Sequence, residues 1–110
     1  MGSEGSGVRF LLRVRVAQGR EEDFLARYGA LARRIEDGVP GHIVHELWQN
    51  REEPDRWAIV SCWENIETSR VWDQSPDHKA LTMSLRECWT EAERSAYVVR
   101  IESRRRKARP

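Results

Sequence analysis

The sequence lacks any long hydrophobic run. No segment approaches the roughly 18 consecutive apolar residues of a membrane helix. The first residues also do not combine a basic region with an apolar core, as a signal peptide would. These absences predict a cytoplasmic protein that neither spans nor binds a membrane.

Cysteine and nucleotide-binding motifs are scarce or missing as well. Cys62 and Cys88 are the two cysteines, and they form no CxxC motif of the metal or redox kind. Both lie in apolar-patterned segments, so we expect buried free thiols. No GxGxxG or Walker-type sequence occurs, which argues against a nucleotide cofactor.

Charge of one sign is concentrated only at the C-terminal end. Removing the five basic residues between positions 104 and 109 from the formal charge of +1 leaves −4 for the rest of the 110 residues. The basic segment has no interleaved aromatic residues and no recognisable binding module beside it. We therefore expect residues 103–110 to be a disordered tail, and we predict no nucleic-acid partner.

Periodicity divides the rest of the chain into strands and helices. Strict alternation predicts a first strand over residues 8–16, and apolar spacings of three and four predict an amphipathic helix over residues 20–37. Alternation returns over residues 42–49 and 56–63, which a loop with Pro54 joins as a hairpin.

Helical spacing then covers residues 66–73 and 76–92, with Ser75 as N-cap and Pro76 at the first helical position. A last strand is predicted over residues 96–101. The order β-α-β-β-α-β favours an α+β, ferredoxin-like fold with a four-stranded antiparallel sheet. The domain should span residues 8–102, after a flexible N-terminal segment of residues 1–7.

Both faces of the two middle strands carry apolar side chains, so something must cover the second face. A second subunit is the simplest cover. The sequence therefore predicts a homodimer.

The three histidines and one arginine are open to two interpretations each. His42 and His45 are three residues apart on a strand, which should point them to opposite faces and prevent them from sharing a metal ion. His45 is either a buried, hydrogen-bonded residue or an acid/base group in a pocket. His78 is either a partly exposed residue of a first helical turn or a base, and Arg86 is either solvated or an anchor for an anionic phenolate.

Tryptophan is abundant, with five residues at positions 48, 57, 63, 72 and 89. Such side chains serve core and dimer packing, but they also make flat apolar walls for a fused-ring ligand. A dry aromatic pocket with one or two polar groups would suit an electron-rich phenol.

Several short motifs together resemble a known family. They are Gly19 opening a charged helix, Pro40-Gly41, His45-Glu46-Leu47, the run from Glu53 to Arg56, Trp63-Glu64 and the run from Ser75 to His78. Between about Val8 and Ile101 the chain is similar to the antibiotic biosynthesis monooxygenases. The resemblance implies a dimeric α/β barrel with a pocket between sheet and helices in each subunit, and oxidation of polycyclic phenols by molecular oxygen without metal or flavin.

The resemblance implies one residue of the site, and residue type and position suggest the others. Trp63 matches a pocket tryptophan of the resembling families, and His45 and His78 are the candidates to assist proton removal. The remaining predicted pocket residues are Trp57, Trp72, Tyr28 and Arg86.

Two features of related oxygenases differ in this chain. Some of them have an asparagine after the first strand or four residues before the tryptophan, where this chain has Ala17-Gln18 and Ile59. Haem-degrading relatives have a histidine nine or ten residues after the tryptophan, where this chain has Trp72 and Asp73, so we expect no haem.

The leading hypothesis is a cofactor-independent monooxygenase that oxidises an aromatic polyketide-like phenol or anthrone to a quinone. The alternative is a non-oxidative polyketide cyclase or a non-catalytic ligand-binding dimer, because the asparagines are missing.

Overall fold

The computed structural model describes residues 7–106. Its elements, in chain order, are β1 (Val8–Val16), α1 (Glu21–Glu36), β2 (His42–Gln49), β3 (Arg56–Trp63), α2 (Ile66–Asp73), α3 (Pro76–Arg86) and β4 (Trp89–Val98). The strands form one antiparallel sheet in the order β2-β3-β1-β4. This is the predicted ferredoxin-like fold, with its second helix in two pieces. Within the described residues, no helix is long and apolar enough to cross a membrane.

Local signals explain where the helices begin. Acidic residues Glu21, Glu22 and Asp23 occupy the first turn of α1, where they complement the helix dipole. Asn65 caps α2 by accepting a hydrogen bond from the Thr68 amide, and Ser75 caps α3 in the same way through the His78 amide.

The end of α3 and the start of β4 correct the sequence prediction. Helix α3 ends at Arg86, not at residue 92, and the last strand begins at Trp89, not at residue 96. The physical reason is pairing with β1: Trp89 lies opposite Val16, and Glu91 and Glu93 lie opposite Arg15 and Arg13. Backbone hydrogen bonds along the whole edge of β1 therefore stabilise a strand here, although Cys88 and Ala92 are spaced as in a helix.

One face of the sheet, which we call the covered face, packs against the helices. Its core includes Val14, Trp57 and Trp63 from the strands, packed with residues such as Phe24 and Leu85 from the helices. Both cysteines are free and buried, as predicted.

The opposite face, which we call the open face, carries no helix among the described residues. Its large apolar side chains include Val44, Trp48 and Tyr97, which are 40%, 50% and 52% exposed. Two cross-strand ion pairs, Arg13–Glu93 at 3.9 Å and Arg15–Glu91 at 3.3 Å, lie at one end of this face. The open face thus has an apolar part and a charged part.

The two predicted terminal segments lie mostly outside the described residues. Residues 1–6 and 107–110 are not described, so flexibility there stays a prediction. Gly7, assigned to the flexible segment, is buried, and its carbonyl accepts a hydrogen bond from the Val99 amide at 3.0 Å. Residues 103–106 are exposed and have no regular secondary structure.

Candidate active site

A cavity of about 540 Å³ lies between the covered face and the helices. Its apolar wall includes Phe10, Leu12, Trp63, Trp72 and Trp89, and its polar lining includes His45, Ser61, Asp73, His78, Thr82, Arg86 and Arg94. Its volume falls within the range of about 300–1,000 Å³ typical of small-molecule sites. Five of the seven predicted site residues therefore meet at one cavity.

Trp63 ends β3 and forms part of the cavity wall although only 2% of its surface is exposed. It lies opposite Val8 of β1 and has the His42 ring edge-on at 5.4 Å. Packing on several sides fixes its indole in one place. A rigid aromatic wall is therefore available to a ligand.

His45 lies on β2 and points to the covered face, opposite Ser61. Its Nδ1 atom is 2.7 Å from the Tyr28 hydroxyl of α1. Burial lowers the pKa of His45 to about 4, with smaller repulsion from His42 and His78, and burial raises the pKa of Tyr28 to about 12. The pair is therefore neutral at physiological pH.

His42 lies on the same side of the sheet as His45, so the prediction of opposite faces was wrong. The register of β2 against β3 shifts between His42 and Val44, and Ile43 is the extra residue of this bulge. The His42 and His45 rings are 5.9 Å apart as a result. Among residues 7–106, no group of three His, Cys, Asp or Glu side chains is placed to hold a metal ion.

His78, in the first turn of α3, joins a polar cluster at the cavity. Its Nδ1 atom is 3.2 Å from the Asp73 carbonyl oxygen, and its Nε2 atom is 3.3 Å from the Thr82 hydroxyl. The Asp73 carboxylate lies 3.6 Å from the same Nε2 atom and accepts a hydrogen bond from Arg94 at 2.9 Å. Burial lowers the pKa of His78, while the neighbouring Asp73 opposes that effect.

The remaining predicted pocket residues divide into two groups. Trp72 lines the cavity with its ring edge-on to His78 at 5.5 Å, and Arg86 lines it from the exposed end of α3. Trp57 and Tyr28 do not line it, which corrects their assignment as pocket walls. Trp57 packs in the core against Phe24, and Tyr28 lies behind His45.

Four polar lining residues were missed by the sequence prediction: Ser61, Asp73, Thr82 and Arg94. Thr82 follows His78 by four residues on one helix, a spacing that could have placed it beside the imidazole. Arg94 could not be found, because its position depends on β4 starting at Trp89. Its guanidinium also lies over the Phe10 ring at 4.7 Å.

Comparison with protein families gives a match over residues 8–82 to the model described as antibiotic biosynthesis monooxygenase. The chain belongs to this family. The match includes β1 through most of α3, and so every predicted site residue except Arg86. The resemblance read from the sequence motifs is thereby confirmed.

Two curated relatives of this family member come from Streptomyces. A 42.8 kDa protein in the whiE locus of Streptomyces coelicolor is 31% identical over 100 residues, which cover 91% of this chain and 25% of the relative. Protein SchA of Streptomyces halstedii is 33% identical over 82 residues, covering 74% of this chain and 21% of the relative. The chain thus spans about a quarter of the length of these relatives.

Solved structures agree on the fold of this antibiotic biosynthesis monooxygenase family member. SnoaB of Streptomyces nogalater, described as a cofactor-independent oxygenase, superposes with a TM-score of 0.78 at 21% identity, covering 88% of this chain and 96% of SnoaB. A Bordetella bronchiseptica protein described as a candidate antibiotic biosynthesis monooxygenase gives a TM-score of 0.74 at 26% identity, covering 87% and 99% of the two chains.

Proposed function

We propose that this chain is a cofactor-independent monooxygenase that oxidises an aromatic polyketide-like phenol or anthrone to a quinone with molecular oxygen. The observation that carries the proposal is the cavity, where a wall of three tryptophans meets two partly buried histidines whose pKa values burial lowers. Family membership and the description of SnoaB as a cofactor-independent oxygenase support it.

The chemistry requires little from the protein. A deprotonated anthrone is electron-rich enough to react with oxygen itself. The ring methylene then loses both hydrogens and gains one oxygen atom, and the other oxygen atom leaves as water. Trp63 and Trp72 would hold the fused rings, and His45 and His78 would provide proton transfer and anion stabilisation. Oxygen is the co-substrate, and the proposal includes no metal, flavin or haem.

We also propose that the chain works as a homodimer in the cytoplasm. The open face supports the dimer, because Val44 and Trp48 on β2 and Tyr97 on β4 expose large apolar side chains on the same face of one sheet. A second copy placed on this face would bury them and leave the cavity on the helix side of each subunit. The cytoplasmic location rests on the sequence prediction alone.

The test uses the purified 110-residue chain, treated with chelator and mixed with anthrone and related phenols in air. Quinone absorbance and oxygen uptake are followed together. We expect both to exceed the buffer rate, and we expect Trp63→Phe to reduce the enhancement while Trp48→Phe on the open face does not. No enhancement over buffer with any substrate of the panel would contradict the proposal.

One observation favours the alternative of a cyclase or a ligand-binding dimer. Ile59 lines the cavity at the place where some related oxygenases have an asparagine, so this part of the wall is apolar. Product analysis separates the functions: cyclisation without oxygen uptake indicates a cyclase, and binding without turnover indicates a carrier.

A further inference from the structure

The two histidines that line the cavity have different hydrogen-bond partners. His45 has a tyrosine hydroxyl at Nδ1, and His78 has a backbone carbonyl at Nδ1. A carbonyl oxygen only accepts, whereas a hydroxyl can donate or accept. This difference determines which nitrogen of each neutral ring carries the proton.

Two arrangements are possible at His45. In the first, the Tyr28 hydroxyl donates to Nδ1, and the ring proton is on Nε2. In the second, Nδ1 donates to Tyr28, and the hydroxyl proton then needs an acceptor. Among residues 7–106, Tyr28 makes no second hydrogen bond that could supply one. Each arrangement leaves one polar hydrogen without a protein partner. The first leaves the Nε2–H of His45, which lines the cavity, whereas the second leaves the hydroxyl hydrogen of the half-buried Tyr28; the first is favoured because a group at the cavity can still bind water or a ligand.

The other nitrogen of His45 remains available to a ligand. It makes no hydrogen bond within the described residues. The Nε2 atom of His42 is also without a partner but is fully buried, whereas the Nε2 atom of His45 is not. Because His45 lines the cavity, an Nε2–H group there can donate to an oxygen of a bound molecule.

His78 has the opposite arrangement. Its Nδ1–H donates to the Asp73 carbonyl, so the lone pair of the neutral ring is on Nε2, where the Thr82 hydroxyl can donate to it. A proton gained at Nε2 would lie next to the Asp73 carboxylate, 3.6 Å away, which would stabilise the imidazolium.

We infer that the two histidines divide the work: Tyr28 holds His45 as an Nε2–H donor for the anionic oxygen of the substrate, and His78 Nε2 accepts the proton. Tyr28 is then a positioning residue that never touches the substrate. The inference rests on the proposed function and assigns its proton chemistry. The acidic O–H or C–H bond of the substrate breaks, its electron pair stays on the substrate, and the proton moves to His78.

The tautomers can be measured without any substrate. Two-bond proton–nitrogen correlation spectra of the full chain with ¹⁵N-labelled histidine, assigned with His→Gln variants, distinguish a protonated from an unprotonated ring nitrogen. We expect His45 to be protonated on Nε2 and His78 on Nδ1 at neutral pH. A proton on Nδ1 of His45 in the unmodified chain would overturn the inference.

Tyr28→Phe tests the positioning role, and Tyr97→Phe on the open face is the matched control. Removing the Tyr28 hydroxyl should let the His45 proton exchange between both nitrogens, so its nitrogen shifts move toward an average. The control should leave them unchanged. Unaltered His45 shifts in Tyr28→Phe would overturn the role of Tyr28.

Glutamine variants separate the donor from the base in oxygenation assays. A glutamine amide can donate much as Nε2–H does, but it cannot accept and hold a proton. We expect His45→Gln to keep kcat within about tenfold and His78→Gln to lose about 10²–10⁴-fold. The reverse order would overturn the division. If the unmodified chain oxidises nothing, the proposed function fails, and the nitrogen spectra still decide the tautomer assignment.

Discussion

The two faces of the sheet both carry tryptophan, but in different environments. Trp63 on the covered face is buried and forms a cavity wall, whereas Trp48 on the open face is half exposed. Titratable groups differ as well. The cavity under the covered face brings together His45, His78, Asp73 and Arg94, whereas the open face has cross-strand ion pairs. Alternation along the strands creates both faces, and the face under the helices encloses the cavity of about 540 Å³. A site for chemistry therefore forms on one face, and a surface for assembly remains on the other.

The largest expected difference in stability between the two faces comes from truncating one tryptophan on each face. Trp63→Ala should lower the free energy of unfolding by about 3–5 kcal/mol, because a large buried side chain leaves a cavity behind. Trp48→Ala should change the free energy of unfolding of the monomer far less, since half of its side chain already contacts solvent. Denaturant unfolding at low protein concentration measures both. Equal losses for the two variants would contradict the difference between the faces.

Acid should destabilise the covered face specifically. The pKa of His45 is about 4 in the folded chain and near 6.5 when unfolded, so the unfolded state binds more protons between these values. Stability is therefore fully present above about pH 6.5 and falls as the pH drops toward 4, by at most about 3 kcal/mol from this residue. His42 and His78, whose pKa values burial also lowers, add effects of the same sign.

Urea unfolding across this pH range measures the acid effect, and His45→Gln should flatten the curve. A stability that does not change between pH 6.5 and 4 in the unmodified chain would refute the lowered pKa of His45.

A charge placed on the open face should weaken the proposed dimer. Trp48→Arg adds a long cation to the apolar part of that face, so we expect the dimer dissociation constant to rise tenfold or more, about 1.4 kcal/mol for each factor of ten. Met83→Arg is the control, because Met83 is an exposed apolar residue of α3, on the helix side. Sedimentation at several concentrations measures the constant. A monomer at micromolar concentration for the unmodified chain would sink the proposal.

A substitution in the charged part of the open face should have the smallest effect on stability. Arg13 and Glu93 are 3.9 Å apart and largely exposed, so their attraction is screened by water and salt. Arg13→Gln should leave the thermal unfolding midpoint nearly unchanged, as calorimetry would show. A drop of several degrees would mean that the open face contributes more to monomer stability than its exposure indicates.

Local patterns predicted the parts of the fold that depend on local interactions. The bounds of β1, β2 and β3 and the break at Ser75-Pro76 follow from alternation and capping, and the structure confirms them. The start of β4 depends on β1, which is more than 70 residues earlier in the chain. No local pattern near residue 89 indicates pairing with β1, and the helical spacing there predicted a helix instead.

The candidate site was predictable to a similar extent. Trp63, His45 and His78 were found because residue type and motif position indicate pocket chemistry, and the structure brings them to one cavity. Tyr28 was assigned to the wall but lies behind His45, to which its hydroxyl is hydrogen-bonded. The sequence shows that Tyr28 faces the sheet, but it does not show whether the side chain reaches the cavity. Asp73 and Arg94 come together only when β4 is paired, so their contact was beyond a reading of the chain alone.

The bulge in β2 has a consequence for how relatives are aligned. In a continuous register Ile43 would lie opposite Trp63, but the bulge puts His42 there and leaves Ile43 half exposed. A family member with the same residues as His42, Ile43 and Val44 but without the bulge would place the isoleucine side chain against the tryptophan. Two chains that are identical in an alignment column can therefore place different side chains against the pocket tryptophan. A change in backbone register alone changes the polarity of the pocket, with no substitution.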